Sequence, residues 1–277
     1  MSYEQYRPSG FSLLTPVVKN LLIINGIFYL ATVVLESRLG IDLTEKLGLH
    51  YFTSDKFSPY QFISYMFMHG SFMHVFFNMF ALWMFGNVLE NYWGSKRFFI
   101  YYFVTGIGAA LIHMGYTGYE MIKINNAMQA FSNTPSAEAF MEVIKDNFPV
   151  YEQSEQIQSL AIEWARHPTD TSYTNQAMEF FGELISAKID VPIVGASGAV
   201  FGILLAFGMM FPNTLLYIYF AIPIKAKYFV IIYGLIELFS GIQNAEGDNV
   251  AHFAHLGGML FGFILIKYWQ RKNNRYQ

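Results

Sequence analysis

Apolar runs of nearly membrane-crossing length recur along the chain, at Val17–Leu35, Met73–Leu89, Phe98–Thr117, Ile193–Phe211, Tyr228–Ile242 and Ala251–Tyr268. A helix needs roughly 20 predominantly apolar residues to cross a bilayer, so the pattern predicts six spans. The fifth run is short and must tilt or extend into its flanks. A further apolar patch, Leu215–Ile222, lies between Pro212-Asn213 and Pro223 and predicts an interfacial connection rather than a span. Between spans three and four the texture changes. Residues 118–190 are polar, with acidic residues in excess and helix-like stretches such as "SAEAFMEVIKDNF" and "EQIQSLAIEWARH". The pattern therefore predicts an all-α membrane protein. Its parts are a tail (1–16), spans one to three with the first loop (17–117), a helical insert (118–190), spans four to six (191–270) and a second tail (271–277).

Composition sharpens this picture. Of the 277 residues, 54% are hydrophobic and 13% charged, about half the charge usual in a soluble domain. The chain has no cysteine, which excludes disulfides, thiol catalysis and thiolate metal sites. A net charge of −3 without a basic block argues against nucleic acid as a partner and leaves the lipid bilayer as the main environment. The N-terminus lacks the layout of a cleaved signal peptide, so the first run is read as a retained span. Six spans put both termini on one side, and basic residues in short segments mark that side as cytoplasmic. Arg7, Lys19, Lys96, Arg97, Lys225, Lys227, Lys267, Arg271, Lys272 and Arg275 all fall there. The insert then lies on the outer face, long translocated segments being exempt from the charge rule. The lack of targeting signals points to a bacterial inner membrane.

Polar side chains inside spans are costly and mark function by default. Four stand out: His74 and Asn78 in span two, Ser197 in span four and His255 in span six. Spans two, four and six all run inward from the outer face, and each residue falls in the first turns of its span. Span four carries small residues at Gly198, Gly202 and Ala206, and span six at Gly258 and Gly262. Such faces let helices approach closely in lipid, which sets Ser197 opposite His255. A serine hydroxyl needs a base to take its proton, and imidazole titrates near neutrality. His74 and Asn78, at i and i+4, share a helix face and can point at an oxyanion together with the backbone N–H of Ser197. Glu237 in span five is the one candidate for a third member, and nothing in the pattern aims it at His255. A Ser-His dyad is expected.

At these residues the sequence resembles the rhomboid family of intramembrane serine proteases. The matching motifs are "HGSFMHVFFN" (His69, His74, Asn78), "GASG" around Ser197, "HFAHLGG" through His255, and "ENYWGSKRF" with Glu90, Gly94 and Arg97. The resemblance covers roughly residues 57–117 and 191–268. It implies a six-span core that cleaves transmembrane segments of other membrane proteins near the outer surface, without a cofactor. Ser197 would be the nucleophile, His255 the base, and His74 and Asn78 the oxyanion donors. His69 would hold the first loop, with Gly195, Gly198 and Gly258 as structural neighbours of the site. The chain departs from the family in having Tyr60-Gln61 where a Trp-Arg pair is common, and in carrying the insert.

Blander readings compete. A lone serine among glycines is more often a packing residue, and Glu90 with Arg97 is most simply a salt bridge or hydrogen-bond set at the cytoplasmic end. His252, three residues before His255, reads as structural or interfacial. It and His255 share a helix face, which invites a zinc site with His69 and His74, but the general-base Glu of an HExxH motif is missing, and no metal is expected. Two function classes remain: an intramembrane protease, and a non-catalytic relative that binds or chaperones membrane proteins. A transporter would need polar residues near the midplane and inverted repeats, and the chain has neither pattern.

Overall fold

The structure, a computed structural model, describes residues 12–218, 221–243 and 251–274. Helix α1 (Pro16–Leu39) starts on a proline and ends at Gly40, whose φ of +63° lets its N–H close on the Glu36 carbonyl. Helix α2 (Phe72–Trp93) contains a π-turn at Leu82–Gly86. Helix α3 (Ser95–Asn133) is 39 residues long. Helices α4 (Ala137–Asn147), α5 (Glu155–Arg166) and α6 (Ser172–Ile189) follow, then α7 (Ser197–Met210), α8 (Ala226–Gln243) and α9 (His252–Asn274). Between α7 and α8, strands β1 (Leu215–Ile218) and β2 (Ile222–Lys225) pair antiparallel, with Leu215 opposite Lys225. The patch expected as an interfacial connection is thus a hairpin, and the chain is not purely helical.

Among the described residues, α1, α2, α3 and α8 are long and apolar enough to cross a membrane. Their outward faces are apolar as well. Ile23, Ile27, Leu30 and Val34 on α1, and Ile231, Leu235, Phe239 and Ile242 on α8, are all exposed. Apolar stripes of that extent are rare on soluble monomers. Two expected boundaries move. Span four begins as helix only at Ser197, because Ile193 is drawn into an extended bridge with Leu49, each backbone N–H meeting the other's carbonyl at 3.0 Å. The resulting α7 is 14 residues, about 21 Å, shorter than the ~30 Å hydrocarbon layer. The junction expected at 117/118 lies inside α3, which runs without a break from the bundle into the insert.

The bundle core is built on α3, whose Phe98, Tyr101 and Tyr102 are fully buried. The Tyr101 hydroxyl donates to the Gly202 carbonyl at 2.8 Å, and the Tyr65 hydroxyl to that of Gly106 at 2.7 Å. The insert has a separate core of Phe131, Phe140, Ile144, Ile157, Trp164 and Phe181. At the far end of the bundle Glu90 is buried and holds the start of α1. It accepts from the Val17 and Val18 amides at 3.0 and 2.9 Å and from the Thr15 and Ser95 hydroxyls. A carboxylate suits the positive end of a helix. Arg97 lies over the Trp269 ring, 5.9 Å from its centroid, so the two residues serve different contacts and not one salt bridge.

Candidate active site

The chain enters the site through a glycine. Gly195 has φ +123° and its N–H meets the Tyr65 carbonyl at 2.9 Å. A Cβ at this position would lie 2.8 Å from the His74 ring. Both the backbone angle and the missing side chain are therefore required. Two residues on, Ser197 opens α7, where the first backbone N–H groups have no acceptor within the helix.

Close packing delivers the histidine. A methyl group on Gly258 would overlap the Gly198 carbonyl oxygen, so α7 and α9 touch backbone to backbone. The small-residue faces do not pair only with each other. Gly202 lies against Thr105, and Gly262 against Tyr101 and Thr105, all on α3. Helix α3 is thus a third partner in the seam. The outcome is a contact of 2.9 Å between Ser197 Oγ and His255 Nε2. The His255 ring is buried and stacks on Phe201, with centroids 4.1 Å apart and planes 7° from parallel.

The expectation that nothing aims Glu237 at His255 is overturned. Glu237 Oε2 lies 2.8 Å from His255 Nδ1 and 2.6 Å from His252 Nδ1. His252, read from sequence as structural or interfacial, therefore shares the carboxylate of the site histidine. The one signal in the sequence was an ionisable residue inside an apolar run; the rotation of α8 that turns it inward is not visible there. The same three residues bring ligand-capable atoms within 4.8 Å of one another. Among the described residues the metal-capable group is thus Glu237, His252 and His255; His69 and His74, weighed with the two histidines from spacing, are not part of it.

His74 and Asn78 occupy one face of α2, which Ser71 caps by accepting from the His74 amide at 3.2 Å. Asn78 is buried and one of its two amide hydrogens goes to the His74 carbonyl at 3.0 Å. The His69 ring meets His74 edge-on, 5.0 Å between centroids. The preceding loop is anchored by Gln61, which is 1% exposed. Its Oε1 accepts from the His50 and Ser58 amides, and its Nε2 donates to the Lys46 and Lys56 carbonyls. Tyr60 adds a bond to the Lys46 carbonyl at 3.1 Å. The pair that departs from the family's Trp-Arg thus still fastens the loop. A cavity of about 610 Å³ lined by Tyr92, Arg97 and Trp269 lies at the other end of the bundle, away from Ser197.

A family model described as the Rhomboid domain matches residues 56–129 and 172–272. The unmatched stretch between them covers α4 and α5, narrower than the insert expected from composition. The chain is also similar to an uncharacterized mitochondrial rhomboid protein of Schizosaccharomyces pombe, with 31% identity over 105 residues. That alignment covers 34% of this chain and 27% of the relative. The relative is mitochondrial, so the match lends nothing to the expectation of a bacterial inner membrane.

Proposed function

Since the chain belongs to the rhomboid family, we propose that it is an intramembrane serine endopeptidase, with Ser197 as nucleophile and His255 as general base. The observation that carries this reading is the 2.9 Å contact of Ser197 Oγ with His255 Nε2, on two helices held together at Gly198 and Gly258. In the first step the Ser197 hydroxyl attacks the substrate carbonyl as its proton passes to His255 Nε2. The oxyanion is met by His74, by the free amide hydrogen of Asn78 and by the Ser197 backbone N–H, donors of the kind that stabilise developing charge. His255 then protonates the leaving amine, and water, activated by the same imidazole, releases the acyl group.

The substrate class is the membrane-embedded segment of another protein. An intact helix hides its amides in hydrogen bonds, so the segment must unwind locally before attack. The clustering of basic residues in the short segments at the opposite end of the bundle supports an outward-facing site. His69 is assigned a structural part in holding the loop beside His74.

The test is labelling of the detergent-purified protein with a fluorophosphonate probe, comparing wild type with Ser197→Ala and His255→Ala. Labelling of wild type alone is the expected result. A well-folded wild type that does not label would favour the non-catalytic binding protein instead.

A further inference from the structure

We propose that Glu237 is a positioning residue for His255, so that the reactive pair works as a serine–histidine–glutamate relay whose carboxylate is steadied by His252. The inference rests on the protease reading and goes beyond the dyad. It begins with an oddity of α8. Its exposed residues Leu235, Ile236, Leu238 and Phe239 surround Glu237 in sequence, yet Glu237 is 6% exposed. The buried positions of α8 are Ala226, Val230, Glu237 and Gly241, one helical stripe with Glu237 as its sole charge. A charge inside an apolar helix is expensive unless partnered. Gly234 and Gly241, three before and four after Glu237, let the helix close on α9: a Cβ on Gly234 would sit 3.2 Å from Met259, and one on Gly241 3.1 Å from His252. The approach carries the carboxylate to both imidazoles.

The geometry then dictates protons. An ionised carboxylate only accepts hydrogen bonds, so each histidine presents Nδ1–H to Oε2, at 2.8 Å for His255 and 2.6 Å for His252. With its proton on Nδ1, His255 has a lone pair at Nε2, the atom 2.9 Å from the Ser197 hydroxyl. Without Glu237 the opposite tautomer is open to it, and that form cannot accept the serine proton. During attack the proton moves from Ser197 Oγ to His255 Nε2 and the carboxylate stays ionised, facing the new imidazolium. The bond from His252 holds the carboxylate in line. The other titratable groups around the ring are His74 of α2, against Gly195, and Tyr233 of α8, which shares the Phe201 ring. Neither touches Nδ1 among the described contacts. A mere staple between α8 and α9 would use the same bonds, so the test has to separate the two roles.

The experiment measures fluorophosphonate labelling of wild type, Glu237→Gln, Glu237→Asp and Ser197→Ala, with a metal chelator present. It records both the labelled fraction and the rate constant, alongside thermal unfolding. The expected result is a rate constant lowered about 10²–10⁴-fold in Glu237→Gln with the labelled fraction largely kept, and partial recovery in Glu237→Asp. A purely structural Glu237 would lower the labelled fraction and the melting temperature while leaving the rate constant of competent molecules unchanged. That outcome overturns the inference and leaves the protease standing. No labelling of wild type, or labelling that persists in Ser197→Ala, brings down the protease reading and the inference with it. Should Glu237→Gln not fold, the His255 tautomer read by NMR on isotope-labelled Ser197→Ala decides. A proton on Nδ1 supports the relay, and one on Nε2 overturns it.

Discussion

The carbonyl oxygen of Gly198 occupies the place where a side chain at position 258 would begin. That contact lets α7 and α9 pack backbone to backbone, the approach that brings Ser197 to His255. Gly258→Ala therefore forces the helices apart. The expected cost is about 1–3 kcal/mol, as for overpacked cores, seen as a lower melting temperature in detergent together with loss of fluorophosphonate labelling. Labelling at the wild-type rate would show that the helix seam does not set the reactive distance.

Gly195 carries a different burden, because its φ of +123° and its contact with His74 act locally. Gly195→Ala is expected to strain the turn by roughly 1–3 kcal/mol and push the His74 ring aside. Turnover of a transmembrane substrate should fall much further than stability does. The comparison is turnover against melting temperature in one detergent, and equal proportional losses would refute a site-specific role.

His74→Ala and Asn78→Ala remove side-chain donors from the proposed oxyanion site. Each should reduce kcat by about 10²–10³ while the binding of a substrate helix to a Ser197→Ala background is unchanged. A variant that binds weakly but turns over normally would reassign that residue to substrate binding.

Gln61 makes four hydrogen bonds from a buried position. Gln61→Ala strips the partners from the buried His50 amide and the half-buried Ser58 amide, and an unsatisfied buried group costs about 1–3 kcal/mol. Limited proteolysis should then cut within residues 48–71 well before the helices, and Gln61→Glu, which keeps the two acceptor contacts, should be partly protected. Equal cleavage of wild type and Gln61→Ala would show that the loop is held elsewhere, for example by the 2.6 Å bond from Ser54 to Asp190.

Much of this protein is determined by its sequence alone. Long apolar runs demand helices in lipid, since any other backbone would leave N–H and C=O groups unpaired. Ser197, His255, His74 and Asn78 stood out because polar atoms in such runs need a reason. The small residues announced close packing, though not that α3 would take part in it. Three matters were decided by tertiary structure. Helix α7 starts at Ser197 because Ile193 pairs with Leu49, a residue far away in the chain. Gln61 reads as an ordinary polar loop residue until the carbonyls of Lys46 and Lys56 come within its reach. Glu237 reached His255 only through the rotation of α8 about its own axis. An apolar run records that a helix forms, whereas its rotation is settled by which neighbours its glycines let it approach.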